Sequence, residues 1–142
     1  MFVDASAIIA IIVGEPEGEA FAVAIEQADP GKRITTAVAA WEAVAGLARE
    51  KNIPISQAET DIREFLDSAG VKLVPVEPDD LTAALHAYDR YGRHRYSPEN
   101  RNLALNLGDC FHYACAKRRQ VPILHKDAGL RLTDVPTAGG PD

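Results

Sequence analysis

Phe2-Val3-Asp4-Ala5-Ser6-Ala7-Ile8-Ile9-Ala10-Ile11-Ile12-Val13-Gly14 carries the architecture of the chain in miniature. Phe2-Val3 is a short apolar entry ending in an acid, Ala5 to Val13 is helical by composition, and Gly14-Glu15-Pro16 stops the helix. The pattern predicts a strand, a helix and a turn, with Asp4 directly after the strand.

The alternation continues outward from there. Glu17 to Ala28 predicts a second helix, and the β-branched content of Arg33-Ile34-Thr35-Thr36 predicts a short buried strand. Val38, Trp41, Val44, Ala45 and Ala48 recur at helical spacing up to Asn52-Ile53-Pro54, with Glu42 beside that stripe. Ser56 followed by Glu59 is a capping-box signature for a helix whose apolar face is Ile55, Ile62, Phe65, Leu66 and Ala69. Val71 to Val76 reads as the clearest strand. Leu81, Ala84, Leu85 and Tyr88 mark a helix that gives way to a basic loop near Gly92, Gly108 to Arg119 reads as a helix, and Val121 to Leu124 as a strand. Short apolar strands alternating with helices predict an α/β fold, a three-layer α/β/α sandwich around a short, mainly parallel sheet. A single domain over residues 1–136 and a flexible tail over 137–142 are expected. In such sheets ligands bind beyond the carboxyl ends of the strands.

Composition narrows the class. The chain has 142 residues, 46% hydrophobic and 25% charged, which suits one globular domain and excludes low-complexity polymers. The longest apolar run, Ala7 to Val13, is too short to cross a bilayer and follows an acid rather than a basic segment, so a cytoplasmic protein without membrane contact is expected. Cys110 and Cys115 match neither a disulfide nor a zinc-ligand spacing and read as reduced, structural thiols. The net charge of −6 resides in residues 1–31, which hold six acids and no Lys or Arg. The remainder balances, with Lys117, Arg118, Arg119 and Lys126 in an acid-free run and Arg90, Arg93, Arg95 and Arg101 in another cluster, so local binding of a polyanion stays open.

Nucleotide-driven, dinucleotide, zinc-helix and serine-hydrolase signatures are all missing. What remains is acids at informative places. Asp4 follows the first strand, Asp127 follows the last, and Asp109 opens a helix, where a capping role is the simplest alternative. Glu42 lies on a helix of Val and Ala. Unit charges about 5 Å apart repel by roughly 1–3 kcal/mol, so converging carboxylates call for protons or a cation. Oxygen ligands select hard divalent ions such as Mg²⁺ or Mn²⁺, which activate water and stabilise the leaving oxygen of a phosphodiester.

Val3-Asp4-Ala5-Ser6-Ala7, Glu42, and Leu107-Gly108-Asp109-Cys110-Phe111 running through Tyr113-Ala114 and Ala116-Lys117 together resemble PIN-domain toxins of the VapC type. The resemblance implies a PIN-like sandwich, a Mg²⁺- or Mn²⁺-dependent endoribonuclease acting on RNA, a homodimer, and neutralisation by a cognate VapB-type antitoxin in a type II toxin-antitoxin system. It maps the first three acids onto Asp4, Glu42 and Asp109, with Glu42 holding metal through water and Ser6 supporting the site. At the fourth position Lys126-Asp127-Ala128-Gly129-Leu130 departs from the family pattern, which leaves Asp127 or Asp134 of Thr133-Asp134-Val135 as the last acid.

His112, three positions after Asp109, reads as a surface or packed histidine. Arg93 and Arg95, interleaved with Tyr91 and Tyr96, could stack on unpaired bases, and Lys117 and Arg118 are further RNA-binding candidates. The rival readings are a catalytically weak binding module acting through an antitoxin or DNA complex, and a phosphoryl-transfer receiver. The second is disfavoured by the lone acid after the first strand.

Overall fold

A computed structural model describes residues 1–139. The elements run β1 (Phe2–Val3), α1 (Ala5–Val13), α2 (Gly18–Gln27), β2 (Ile34–Thr36), α3 (Ala37–Lys51), α4 (Ile55–Ala69), β3 (Lys72–Val74), α5 (Asp80–Tyr91), α6 (Leu107–Arg118), β4 (Ile123–Leu124) and α7 (Ala128–Arg131), with 3-10 turns at Pro30–Lys32, Arg93–Arg95 and Pro98–Leu103. All strand pairs are parallel, in the order β3-β2-β1-β4, with Phe2 in register with Ile34 and Ile123. Side chains alternate across a strand, and the two apolar residues of β1 therefore enter different cores. Phe2, Ile34 and Ile123 pack chiefly against α5 and α6, whereas Val3 and Leu124 pack against α1 to α4. This is the expected three-layer α/β/α sandwich. Because the strands are parallel, Asp4, Thr36 and the His125-Lys126-Asp127 segment leave the sheet at one edge.

Local signals explain the best-read boundaries. Asp4 caps α1, accepting a hydrogen bond from the Ser6 N–H, and Gly14 ends that helix at φ 73°, a left-handed conformation that glycine adopts without strain. Thr36 caps α3 and Asn52 ends it. Both cysteines are free and buried.

Four expectations need correction. The capping box at Ser56 does not form: α4 already starts at Ile55 behind Pro54, whose fixed φ of −58° leads straight into the helix, and Glu59 pairs instead with Arg63 at 2.9 Å. The buried face of α3 is Ala39, Ala43, Gly46 and Leu47, not the stripe with Val38 and Trp41, and Trp41 is 71% exposed. Close packing of α3 on α1 selects the small residues, since a Cβ on Gly46 would lie 2.5 Å from Ile9 Cδ1. The strand predicted over Val71 to Val76 shrinks to Lys72–Val74, at the sheet edge, where two of the three residues are exposed. Of the expected 137–142 tail, Thr137 bridges to Ile123 and the Ala138 N–H donates to Ile123 O at 2.8 Å, so this part is docked on β4; residues 140–142 lie outside the described residues.

Candidate active site

Four acids from four separate chain segments meet beyond the sheet edge. Asp4, Glu42, Asp109 and Asp127 line one open cleft of about 410 Å³ together with Ala5, Ser6, Ile9 and Lys126. Asp4 is positioned by the end of β1. Its Oδ2 accepts from the Ser6 N–H at 2.9 Å and the Ser6 hydroxyl at 2.5 Å. The same hydroxyl oxygen accepts from the Lys126 N–H at 3.0 Å, so Ser6 ties the end of β1 to the segment after β4.

Asp109 sits in the first turn of α6, where Asn106, not Asp109, is the cap. The two form a reciprocal capping box: Asn106 Oδ1 accepts from the Asp109 N–H at 2.9 Å, and Asp109 Oδ2 accepts from the Asn106 N–H at 2.9 Å. Asp127 caps α7, its Oδ1 accepting from the Leu130 N–H at 2.8 Å. Glu42 comes from α3 and lies directly over Gly108. A Cβ on Gly108 would overlap Glu42 Oε1 and stand 3.0 Å from its Cδ. The glycine before Asp109 therefore admits the glutamate.

Burial and crowding shift these groups in ways that identify the pocket as short of positive charge. Burial raises Asp109, and Asp127 and Asp4 raise it further against the Asn106 hydrogen bond and His112, to about 7. Glu42 is raised, by burial first and Asp4 next, against the pull of His112. Asp4 goes the other way: burial pushes it up, but contact with His112 and the two Ser6 hydrogen bonds outweigh that and hold it below the ordinary carboxylate range.

His112 is packed, as one of its two expected placements required, but its neighbour is a surprise. The ring is fully buried, and Nδ1 lies 2.9 Å from Asp4 Oδ1. Burial lowers its pKa, yet Asp4, then Glu42 and Asp109, raise it to a net upward shift. Neither ring nitrogen has an aligned hydrogen-bond partner among the described residues. One donor atom from each of Asp4, Asp109 and His112 falls within 4.8 Å of the others. A buried carboxylate pair with an orphaned nitrogen at its side is a donor set that suits a divalent cation.

The remaining candidates are placed elsewhere or occupied. Asp134 accepts from Lys117 Nζ at 2.6 Å and from the Tyr113 hydroxyl at 2.8 Å, away from the residues that line the cleft. Arg118 donates to the wholly buried Asp80 at 2.7 Å and pairs with Glu77 at 3.1 Å. Arg95 pairs with Asp89 at 3.1 Å and Arg93 is exposed beside it, both on the 3-10 turn after α5. The sequence offered Lys126 only as part of an acid-free basic run, not as a neighbour of the acids. Its ammonium is the basic group on the cleft, paired with Glu15 and 3.9 Å from Glu17. Its position directly before Asp127 was the available signal.

The family model for the PIN domain matches residues 1–136. The chain is 37% identical over 135 residues to Ribonuclease VapC of Mycolicibacterium smegmatis, covering 95% of this chain and 97% of that protein. It is 36% identical over 141 residues to Ribonuclease VapC30 of Mycobacterium tuberculosis, covering 99% and 100%, and 33% identical over 144 residues to a VapC ribonuclease of Rhizobium meliloti, covering 94% and 98%. With its parallel sheet and its acids gathered at one edge, this chain belongs to the PIN-domain family, in the VapC group.

Proposed function

We propose that the protein is a divalent-metal-dependent endoribonuclease, the toxin of a toxin-antitoxin pair, acting from a single domain over residues 1–136 in the cytoplasm. The observation that carries this reading is the convergence of Asp4, Glu42, Asp109 and Asp127 on one cleft that also holds a lysine. Asp4 and Asp109 hold Mg²⁺ or Mn²⁺ directly, Glu42 holds it through water, and Asp127 completes the acid set. Such an ion, when bound, supplies an activated water at neutral pH and offsets charge on the phosphodiester. Ser6 fixes the Asp4 carboxylate, Gly108 makes room for Glu42, and Asn106 orients Asp109. Lys126 offers the backbone phosphate a counter-charge at the mouth of the cleft, with Glu15 holding its ammonium at the rim.

Two exposed apolar faces support partners. Trp41, Ile55 and Leu73 line a groove of about 480 Å³ between α3 and α4, and Leu81, Leu85 and Tyr88 are exposed on α5. Contiguous apolar surface of this kind marks interaction sites, as a homodimer neutralised by a VapB-type antitoxin requires.

The test is cleavage of a single-stranded RNA by the purified protein. Wild type cuts in Mg²⁺ or Mn²⁺ and stops with excess chelator, and Asp109→Asn, which keeps the shape and removes the charge, loses orders of magnitude in rate. Undiminished cleavage by that variant, or in chelator, refutes the reading.

A further inference from the structure

His112 breaks the all-oxygen donor set that a hard cation would call for. Its ring is wholly buried, on the same α6 turn as Asp109, with the Phe2 ring 5.2 Å away. A buried polar group without a partner costs about 1–3 kcal/mol, and in native structures such groups point to an ion or water that completes them. The 2.9 Å between Nδ1 and Asp4 Oδ1 is short enough for a hydrogen bond, but the ring N–H is not aligned with that oxygen. The distance has a second explanation. An octahedral ion with bonds of about 2.1 Å sets adjacent ligand atoms about 3.0 Å apart and opposite ones about 4.2 Å apart. The 2.9 Å contact matches adjacent ligands of one coordination shell, while the 4.8 Å that bounds the Asp4, Asp109 and His112 group is wider than the opposite-ligand span, so the three groups would have to close in around an ion.

We propose that His112 Nδ1 is a ligand of the same ion as Asp4 and Asp109, making a mixed nitrogen–oxygen site that takes a transition-metal dication such as Mn²⁺ in preference to Mg²⁺. The inference rests on the metal-dependent reading above and adds the identity of the ion. Carboxylate and water oxygens suit Mg²⁺ and Mn²⁺ alike, whereas imidazole is a ligand of first-row transition metals, so the ring nitrogen is the group that would separate the two ions. His125 is the competing nitrogen. It is buried too, with Nε2 3.1 Å from Thr137 Oγ1 and Nδ1 unpartnered among the described residues, but it is not in the group with Asp4 and Asp109.

Pulsed EPR of the full chain loaded with Mn²⁺ reads a directly bound imidazole nitrogen as echo modulation, and the decisive spectrum is that of the wild type, which needs no variant to fold. The expected result is nitrogen modulation in the wild type, lost in His112→Gln and kept in His125→Gln. In calorimetric titrations the ratio of Mn²⁺ to Mg²⁺ affinity falls at least about tenfold in His112→Gln, as losses around a metal site do. Mn²⁺ that binds in an Asp4-dependent way without nitrogen modulation overturns His112 as a ligand and leaves the acid site standing. Modulation that survives His112→Gln and vanishes in His125→Gln overturns it as well. Mn²⁺ uptake indifferent to Asp4→Asn overturns both this inference and the reading beneath it.

Discussion

Replacing Gly108 by alanine tests whether Glu42 belongs to the site without touching any acid. The added methyl would overlap Glu42 Oε1 and lie 3.0 Å from Cδ and 3.2 Å from Asn106 Oδ1. Glu42 is the flexible partner, because Gly108 is fixed in the first turn of α6 and Asn106 in the capping box. The carboxylate must retreat by about 1 Å, a displacement that costs about 10²-fold where geometry matters. Stability moves the other way or not at all, since alanine in a helix is favoured over glycine by about 1 kcal/mol. The assay pairs a Mg²⁺ or Mn²⁺ titration of RNA cleavage with thermal melting of the metal-free protein. The expected outcome is a rate loss of about one to two orders of magnitude, similar to Glu42→Gln, with no fall in melting temperature. Wild-type rates in Gly108→Ala with an intact fold would refute the role given to Glu42.

Three other outcomes follow from the charges. Folded Asp109 keeps its proton up to about pH 7, while the unfolded chain releases it near about 3.9, so stability falls as pH rises between these values and stays lower above them. Asp109→Asn is therefore more stable to unfolding than wild type at pH 8 without metal, by roughly 2–4 kcal/mol, and hardly differs at pH 4; a lower melting temperature than wild type at pH 8 contradicts the shift. Arg118→Ala strands the buried Asp80 carboxylate and costs about 3 kcal/mol in denaturant unfolding, while RNA affinity stays the same. Charge reversal of Arg93 and Arg95 weakens RNA binding and flattens its dependence on salt, measured by filter binding at several ionic strengths, and unchanged affinity ends their candidacy.

Local chemistry made much of this legible. Asp4 before an apolar helix and Gly14 after it define β1, α1 and their turn from neighbouring residues alone. Asp109 beside a glycine at a helix start gave the third acid, and Asp127 after the last strand a candidate for the fourth. What resisted reading was set by tertiary packing. The helix bearing Glu42 was visible, but both of its sides are apolar, and close packing on α1, tightest where Gly46 meets Ile9, puts the small face with Ala43 in the core and leaves Trp41 outside. Ser56 carried a sound capping signal that Pro54 pre-empted. Lys117 and Arg118 looked like free cations because Asp134 and Asp80, their partners, are distant in sequence. The meeting of His112 with Asp4 joins the two ends of the chain through the β1–α6 packing and leaves no local trace.

The proposed function requires that the carboxylates at the sheet edge form a cation site. Anomalous diffraction from a crystal soaked in Mn²⁺ locates the ion directly. A peak is expected within about 2.3 Å of Asp4 and Asp109 carboxylate oxygens, abolished in Asp109→Asn. A well-ordered site with no peak there, or the principal peak elsewhere on the molecule, would contradict it.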